Sequence, residues 1–191
     1  MLEAGFLPDF PPEVLHELQA PKPATVSGSG SAARDLRSLL WSSIDNDSSR
    51  DLDQVEYVEK LPDGTTRLLV GIADVDSLVH HGSATDIHAA AEATSVYTGA
   101  ATFPMLPDQL STDQTSLLGD QDRCSIIIEL HVLDSGEVTG HDMYPAWLRN
   151  RAKLAYSSTG AWLEGRGPIP PAVASVPGME AQLRLQLEVS V

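Results

Sequence analysis

The sequence predicts an α+β domain in which helices pack on a mixed, mostly antiparallel sheet. Two observations favour this class. Two pairs of apolar segments are each joined by a short turn, as in antiparallel hairpins. Other segments carry helical signals, among them an alanine-rich stretch that begins with a capping pair. A hydrophobic content of 42% over 191 residues is sufficient for a buried core.

The N-terminal segment is expected to lie outside this domain. Residues 1–33 contain a short proline-bounded helix, FLPDFPPEVLHEL, and then APKPATVSGSGSAA, whose composition is typical of a flexible linker. We place the domain at residues 34–191. The first residues lack the basic start and continuous apolar core of a signal peptide, and no apolar run reaches the roughly 18 residues of a membrane-spanning helix. We therefore expect no membrane partner.

Local patterns predict the first half of the domain. QVEYVEK and TRLLVGIADV predict a hairpin, because the PDG sequence between them is turn chemistry. Ser83 and Asp86 form a cap pair before IHAAAEATSV and predict a helix there. The two prolines of FPMLPDQLS stand three residues apart and predict an ordered loop.

The second half contains one clear hairpin and one ambiguous end. CSIIIELHVLDSGEVTGHDMYPAW predicts a hairpin that turns at Asp134-Ser135-Gly136, and RNRAKLAYSSTGAWLEG is typical of a strand end or a short helix. The final LRLQLEVSV alternates as a strand does, whereas the preceding PGMEAQ favours a helix start. No stop signal precedes Val191, so we expect the domain to be incomplete at this end.

Charge and cysteine content restrict the function classes. A net charge of −15 argues against nucleic-acid binding, which usually requires a basic surface. This objection is met if the basic surface lies on a part of the molecule that this chain lacks. The lone Cys124 excludes an internal disulfide and fits a reducing cytoplasm, so we expect a cytoplasmic protein.

The most unusual segment is SIDNDSSRDLDQVEY at residues 43–57. Four aspartates fall within nine residues of it: Asp45, Asp47, Asp51 and Asp53. Arg50 is the only counter-charge among them. Since like charges at this spacing repel, a folded chain keeps them either in a solvated loop or around a bound cation.

Three interpretations of this cluster are open. The first is a solvated acidic loop. The second is a calcium loop with Asp45 at position one and Glu56 at position twelve, but Arg50 occupies position six, where glycine is needed, and strands flank the segment. The third is a magnesium site for phosphodiester hydrolysis, in which two ions roughly 4 Å apart activate a water and stabilise the leaving oxygen. Asp51 and Asp53 would project the same way from an extended strand, with Asp45 folding back from the preceding loop.

The same residues resemble a known family. IDNDSSRDLDQ is similar to the signature of the ribonuclease II / ribonuclease R exoribonucleases, in which Ile-Asp precedes five residues, an aspartate, one residue and Asp-Asp. Four further segments match the family in the same order: LPDGTTRLLVGIADVDSLV, TSVYTGAATFPMLPDQLS, SLLGDQDR and RAKLAY. The resemblance extends from about residue 34 to about residue 165.

The resemblance implies a 3′-to-5′ exoribonuclease that hydrolyses single-stranded RNA to nucleoside monophosphates with Mg²⁺. It implies that Asp45, Asp51 and Asp53 are catalytic metal ligands, and that Asp53 is the one most directly tied to the chemical step. Gln54 occupies the position of the family's fourth aspartate, where its neutral oxygen would weaken ion binding. The alternative is therefore a catalytically weakened or inactive RNA-binding relative.

The resemblance also implies where RNA is bound. Tyr97 matches a tyrosine that packs against the terminal nucleotides, where stacking works for any base. Tyr156 matches a tyrosine near the terminal sugar, whose 2′-hydroxyl distinguishes RNA from DNA. Arg151 and Lys153 are candidate phosphate contacts. The family's catalytic domain has a later half, so we expect the missing C-terminal remainder, from the same gene or a cleaved chain, as a partner.

Overall fold

A computed structural model describes residues 5–19 and 33–190. The predicted flexible linker falls almost entirely on residues 20–32, outside the described residues. The helices are α1 Pro12–Gln19, α2 Ala84–Glu92, α3 Tyr156–Leu163, α4 Pro171–Ala174 and α5 Met179–Ser190, with a π-helical turn at Leu110–Gln114. The strands are β1 Arg34–Asp35, β2 Trp41–Asp45, β3 Gln54–Lys60, β4 Thr66–Ala73, β5 Val96–Tyr97, β6 Thr102–Phe103, β7 Asp122–Val132 and β8 Val138–Ala155.

The main sheet has six strands in the order β1-β8-β2-β3-β4-β7, and β7 also pairs with β8. The sheet is therefore closed, because the long strand β8 pairs both with β2 and with β7. The first part of β8 pairs with β7, and its last part, Asn150 to Ala155, pairs with β2. Only β1 and β2 run parallel to β8, whereas the other pairs are antiparallel. The predicted α+β class with a mixed, mostly antiparallel sheet is confirmed.

Both predicted hairpins are present. Strands β3 and β4 are joined by a turn in which Gly64 has φ +86°, and β7 and β8 by a turn in which Gly136 has φ +83°. Glycine adopts this left-handed conformation without the steric cost that other residues meet. The turn chemistry thus sets the register of both hairpins, and with it the direction in which each strand presents its side chains.

The closed sheet surrounds the main hydrophobic core. Its fully buried members include Trp41, Leu52, Val55, Leu69 and Leu148. A second cluster lies between the last part of β8 and the helices α3 to α5, with these buried members: Ala152, Leu154, Trp162, Val173, Met179 and Leu183. Alternate residues at the end of β8 are buried because helices cover this part of the sheet.

The ambiguous C-terminal segment is a helix. Met179 and Leu183 of α5 are buried, and Gln182 lies between helix and sheet. The Gln182 side chain accepts a hydrogen bond from the Val58 backbone amide at 2.8 Å and donates to the Val58 carbonyl at 2.9 Å. Since β2 pairs with β3 only at Ser42–Glu56, Gln182 satisfies backbone groups of β3 that β2 does not reach.

The N-terminal helix α1 packs on α2. Both oxygens of the Glu17 carboxylate accept hydrogen bonds from the first turn of α2, from the Ala84 amide at 2.7 Å and from the Thr85 amide and hydroxyl. A carboxylate at a helix N-terminus is favourable because it meets unpaired amides and the positive end of the dipole. Val14 is fully buried, so residues 12–19 are attached to the domain.

None of the described helices is both long enough and apolar enough to cross a membrane.

The predicted helix start at Ser83 is confirmed, because its side chain accepts a hydrogen bond from the Asp86 amide. The helix ends at Glu92, earlier than the alanine-rich pattern suggested, and Ala93 follows in the left-handed conformation.

Candidate functional site

Strand pairing places two of the four aspartates at one end of the sheet. Asp45 is the last residue of β2, and Asp53 directly precedes β3. The antiparallel pairing of these strands brings their adjoining ends together. Asp45 also lies opposite Ala155 in the parallel β2–β8 pair, so Tyr156, the next residue, starts α3 beside it. The loop position expected for Asp45 is thus wrong, since it belongs to a strand.

These residues line a small polar space that we call the aspartate cavity. It has a volume of about 150 Å³, and its walls include Asp45, Asp53, Gln54 and Tyr156. The Asp45 carboxylate accepts a hydrogen bond from the adjacent Asn46 amide at 2.6 Å. Tyr156 is 60% exposed, so its ring is available to a ligand. Four of the residues singled out in the sequence therefore meet at one place.

A second space, the tyrosine cavity, lies on the other side of Asp53. It has a volume of about 210 Å³ and is lined by Asp51, Asp53 and Tyr97, with Met105 and Leu106 on its apolar wall. The Tyr97 hydroxyl donates a hydrogen bond of 2.7 Å to the Asp51 carboxylate. This bond raises the pKa of Tyr97, because an adjacent carboxylate disfavours the phenolate. Asp53 lines both cavities and connects them.

The segment that carries Asp51 and Asp53 is irregular, but it is firmly attached. The intervening Leu52 is 1% exposed and belongs to the main core. Its amide donates to the Ser116 hydroxyl at 3.0 Å, and its carbonyl accepts the Leu117 amide at 2.8 Å. The same Ser116 hydroxyl donates to the Arg50 carbonyl at 2.6 Å. Burial of Leu52 turns both flanking aspartates toward the tyrosine cavity, although neither belongs to a strand as expected.

Ser116 is a residue that the sequence analysis missed. It is 1% exposed and holds the aspartate segment from a distance of more than sixty residues along the chain. A serine in SLLGDQDR has no local feature that identifies this role. Ser116 can hold the aspartate segment only because the loop that follows the π-helical turn passes beside the start of β3.

Gln54, at the fourth family position, lines the aspartate cavity and also pairs with Glu56. The Gln54 amide donates a hydrogen bond of 3.3 Å to the Glu56 carboxylate, which lies two residues along the same face of β3. Burial raises the pKa of Glu56, because its charged form is partly removed from water. Gln54 thus contributes its amide hydrogen to a neighbour, and its oxygen remains the only atom that can serve a cation.

The donor chemistry of the site fits a hard divalent cation. Asp45, Asp53 and Gln54 line one polar cavity, and Mg²⁺ prefers carboxylate and amide oxygens such as theirs. In residues 5–19 and 33–190, however, no three His, Cys, Asp or Glu side chains approach closely enough to form a metal-binding group. One oxygen of Asp51 accepts the hydrogen bond from Tyr97.

The two predicted phosphate contacts lie at different distances from this site. Lys153 pairs with Ser43 on β2, and its ammonium group donates to the Asp47 carbonyl at 3.2 Å, so it lies beside the aspartate segment. Arg151 lies one step further along the same face of β8 and donates to the Arg37 carbonyl at 2.7 Å. It lines a separate shallow cavity with Arg37 and Arg149. The Asp47 side chain lines neither the aspartate cavity nor the tyrosine cavity.

Comparison with known proteins identifies the family. A family model described as the RNB domain matches residues 33–191. The chain belongs to the RNB-domain family. Ribonuclease R of Thermotoga maritima is 37% identical to the RNB chain over 157 residues, which cover 82% of this chain and 22% of that protein. Exoribonuclease 2 of Klebsiella pneumoniae (strain 342) is 33% identical over 171 residues, covering 87% of this chain and 27% of that protein.

A solved structure shows the same RNB architecture. Mycoplasma genitalium RNase R, in complex with double-stranded RNA, superposes with a TM-score of 0.88 at 26% identity and covers 100% of this chain and 33% of that one. The resemblance to the ribonuclease II / ribonuclease R family is therefore confirmed. The RNB chain spans only about a quarter of the length of the two curated relatives.

Proposed function

We propose that this RNB chain provides the metal-binding and terminus-binding part of an exoribonuclease. The reaction would be 3′-to-5′ hydrolysis of single-stranded RNA to nucleoside monophosphates with Mg²⁺. The observation that supports this best is the position of Asp53 between two adjoining cavities, one with Tyr97 and the other with Tyr156. Such an arrangement can hold a nucleotide on each side of the bond to be broken.

Tyr97 is suited to stack on a base of one of the terminal nucleotides. Its side chain is 66% exposed, and its hydroxyl is fixed by the hydrogen bond to Asp51. A ring held at its polar end keeps one orientation, while its face stays open to any base. The apolar wall formed by Met105 and Leu106 excludes water from one side of this space. Stacking here would bind RNA without selecting a sequence.

Three aspartates are the proposed metal ligands. Asp45, Asp51 and Asp53 would hold Mg²⁺, and the Gln54 oxygen would supply the fourth contact. When bound, the metal lowers the pKa of a water and stabilises the charge on the leaving oxygen. Asp53, which faces both cavities, would orient the attacking water by accepting its hydrogen bond. The hydrogen bond from Tyr97 uses Oδ2 of Asp51, so Oδ1 is the oxygen that Asp51 would offer to the metal.

RNA contacts on the other side would come from Tyr156 and Lys153. Tyr156 adjoins the end of β2, where the terminal ribose would lie, and its hydroxyl can contact a 2′-hydroxyl. Lys153 contacts the aspartate segment at the Asp47 carbonyl and can neutralise one phosphate. Arg151, further away, would contact a phosphate upstream. RNA as a partner is supported by the RNA complex of the similar RNase R structure.

The remainder of a longer catalytic domain is the second proposed partner. The curated relatives are roughly four times as long as the segment that matches them. This chain has a net charge of −15, whereas binding RNA requires a basic surface. Most of that surface would therefore belong to other parts of the molecule. The cytoplasmic location suggested by the lone Cys124 stays a prediction.

The test is degradation of a 5′-labelled single-stranded RNA by the protein in Mg²⁺ and in EDTA. We expect a ladder that shortens from the 3′ end in Mg²⁺, and Asp53→Asn should reduce its rate at least 100-fold, since it removes a ligand and the orienting carboxylate. Asp47→Asn is the matched control, because it makes the same chemical change in the same segment outside both cavities. The proposal would be contradicted if both variants lost the same share of the degradation rate, or if EDTA did not slow cleavage.

A second candidate function is favoured by Gln54. Its amide is directed to Glu56, and position 54 carries no charge. A protein with this site would bind RNA through Tyr97 and Lys153 without cutting it. In the same assay, this candidate predicts retention of the intact RNA on the protein with every divalent ion, and no ladder.

A further inference from the structure

Three basic side chains occupy alternate positions near the end of β8. Arg149, Arg151 and Lys153 project to one face of this strand, since residues two apart on a strand point the same way. Asn150 and Ala152, which lie between them, are buried on the opposite face. Alternate residues of a strand are about 6.7 Å apart, so the three residues form a row about 13 Å long. We call it the basic row.

One end of the basic row lies beside the aspartate cavity. Lys153 pairs with Ser43 of β2, which lines that cavity, and its ammonium group donates to the Asp47 carbonyl. Strand β8 then ends at Ala155, and the next residue, Tyr156, lines the same cavity. The basic row therefore leads away from the proposed metal ligands, against the direction of β8.

The other end of the basic row borders a shallow cavity of about 430 Å³, which is lined by Asp35, Arg37, Ser38, Arg149 and Arg151. Asp122 accepts a hydrogen bond of 2.9 Å from Arg37 and one of 2.7 Å from Arg149. These ion pairs hold two guanidinium groups whose side chains remain 44% and 37% exposed. Because a guanidinium has five N–H donors, each of them keeps donors for a further anion.

Arg151 and Lys153 differ from most basic side chains of this protein. Most arginines and lysines in the described part of the chain form ion pairs with carboxylates, as a net charge of −15 leads us to expect. Neither Arg151 nor Lys153 forms an ion pair with a described residue, and the hydrogen bonds that they donate go to the backbone carbonyls of Arg37 and Asp47. A carbonyl does not neutralise a positive charge, so both side chains can receive an anionic group.

We propose that the basic row binds successive phosphates of one RNA strand and sets its direction. Lys153 receives the phosphate next to the one at the aspartates, Arg151 receives the following one, and the cavity of Arg37 and Arg149 receives the strand further upstream. The RNA then runs from 5′ to 3′ in the direction of β8. Phosphate contacts position a strand without reading its bases, which agrees with stacking that accepts any base. The inference rests on the proposed function for the placement of the 3′ end, and it adds the direction of the strand and the length that is held.

The experiment measures binding of single-stranded oligouridylates to the protein in EDTA, where no metal supports cleavage. Arg151→Gln should weaken binding of an octanucleotide by about threefold or more and reduce the slope of log affinity against log salt by about 0.7, because one phosphate contact is lost. A trinucleotide, which is too short to reach Arg151, should bind both proteins equally. Arg151→Lys keeps the charge and should restore most of the affinity. Arg184→Gln is the matched control, because it removes the same charge on α5, outside the basic row, and should change neither affinity nor slope.

Octanucleotides with one neutral methylphosphonate linkage test the direction of the strand. The unmodified protein should lose affinity when the third linkage from the 3′ end is neutral, and Arg151→Gln should then cause no further loss. A neutral linkage at the 5′ end should leave the effect of Arg151→Gln intact.

The inference and the proposed function fail separately. Absence of a 3′ ladder in Mg²⁺ would contradict the proposed function and leave these binding results in place. The inference would be overturned if Arg151→Gln and Arg184→Gln weakened octanucleotide binding equally, or if the trinucleotide lost as much affinity as the octanucleotide. It would also be overturned if the unmodified protein bound both lengths alike, or if the neutral linkage at the 5′ end abolished the effect of Arg151→Gln.

Discussion

Replacing Glu129 by glutamine tests the ion-pair cluster on the sheet formed by β4, β7 and β8. The Glu129 side chain is 12% exposed and accepts two hydrogen bonds from Arg67, at 3.0 and 2.9 Å. Tyr144 donates to it at 2.5 Å, and a His131 ring nitrogen lies at 3.0 Å. Burial by itself would raise the pKa of Glu129, but the hydrogen bonds from Arg67, Tyr144 and His131 outweigh burial and lower it to about 2.

The size of the effect follows from this pKa. A shift from 4.5 to about 2 corresponds to about 3 kcal/mol of stability from the ionised form. Because the folded pKa is depressed, this contribution is present above the unfolded pKa and is lost as the pH falls toward 2. Linkage gives about 3 kcal/mol at pH 7 and about 1 kcal/mol at pH 3.

The assay is urea unfolding of the protein and the Glu129→Gln variant at pH 7, 4 and 3. Glutamine is a neutral substitute of the same shape, so the difference in free energy of unfolding should be largest at pH 7 and should fall by about 2 kcal/mol at pH 3. Glu137→Gln makes the same chemical change at an exposed position between β7 and β8, and its effect on the free energy of unfolding should not vary with pH in this way. If instead the free energies of unfolding of the protein and of Glu129→Gln differ by the same amount at all three pH values, that result refutes the argument that the cluster depends on an ionised carboxylate.

Two other predictions concern packing and the metal site. Gly71→Ala would place a Cβ 2.6 Å from Leu148 Cδ2 and 3.0 Å from Val55 Cγ2 inside the core. This crowding should lower the free energy of unfolding, measured in urea, by about 1–3 kcal/mol. An unchanged unfolding midpoint would show that the core accommodates the extra methyl group without strain. Gln54→Asp restores a negative charge at the fourth position and should tighten Mg²⁺ binding roughly tenfold in calorimetry. Unchanged affinity would show that position 54 takes no part in the site.

Much of the sheet could be predicted because its hairpins are local. The turns at 62–64 and 134–136 carry the glycines that their backbones need, and the apolar patterns on either side set the strands. The parallel pairing of β2 with β8 could not be predicted this way. It joins residues more than one hundred positions apart, and no local signal specifies the partner of a short strand.

The C-terminal helix shows the same limit in another form. The alternation in LRLQLEVSV fits a strand as well as a helix, and local sequence left both open. The decision comes from contacts: Met179 and Leu183 fill a space beside β8, while Gln182 pairs with the β3 backbone. A strand would present these three side chains on two opposite faces and could not make all these contacts together.

For the candidate site, the sequence by itself determined the family, the acidic segment and the departure at Gln54. Only the tertiary structure decided which residues meet. It brought Asp45, Asp53 and Tyr156 to one cavity, joined Tyr97 to Asp51, and left Asp47 and Arg151 outside. The physical reason is that a motif fixes chemistry along the chain, whereas closure of the sheet around Leu52 and the docking of α3 fix distance and direction between segments.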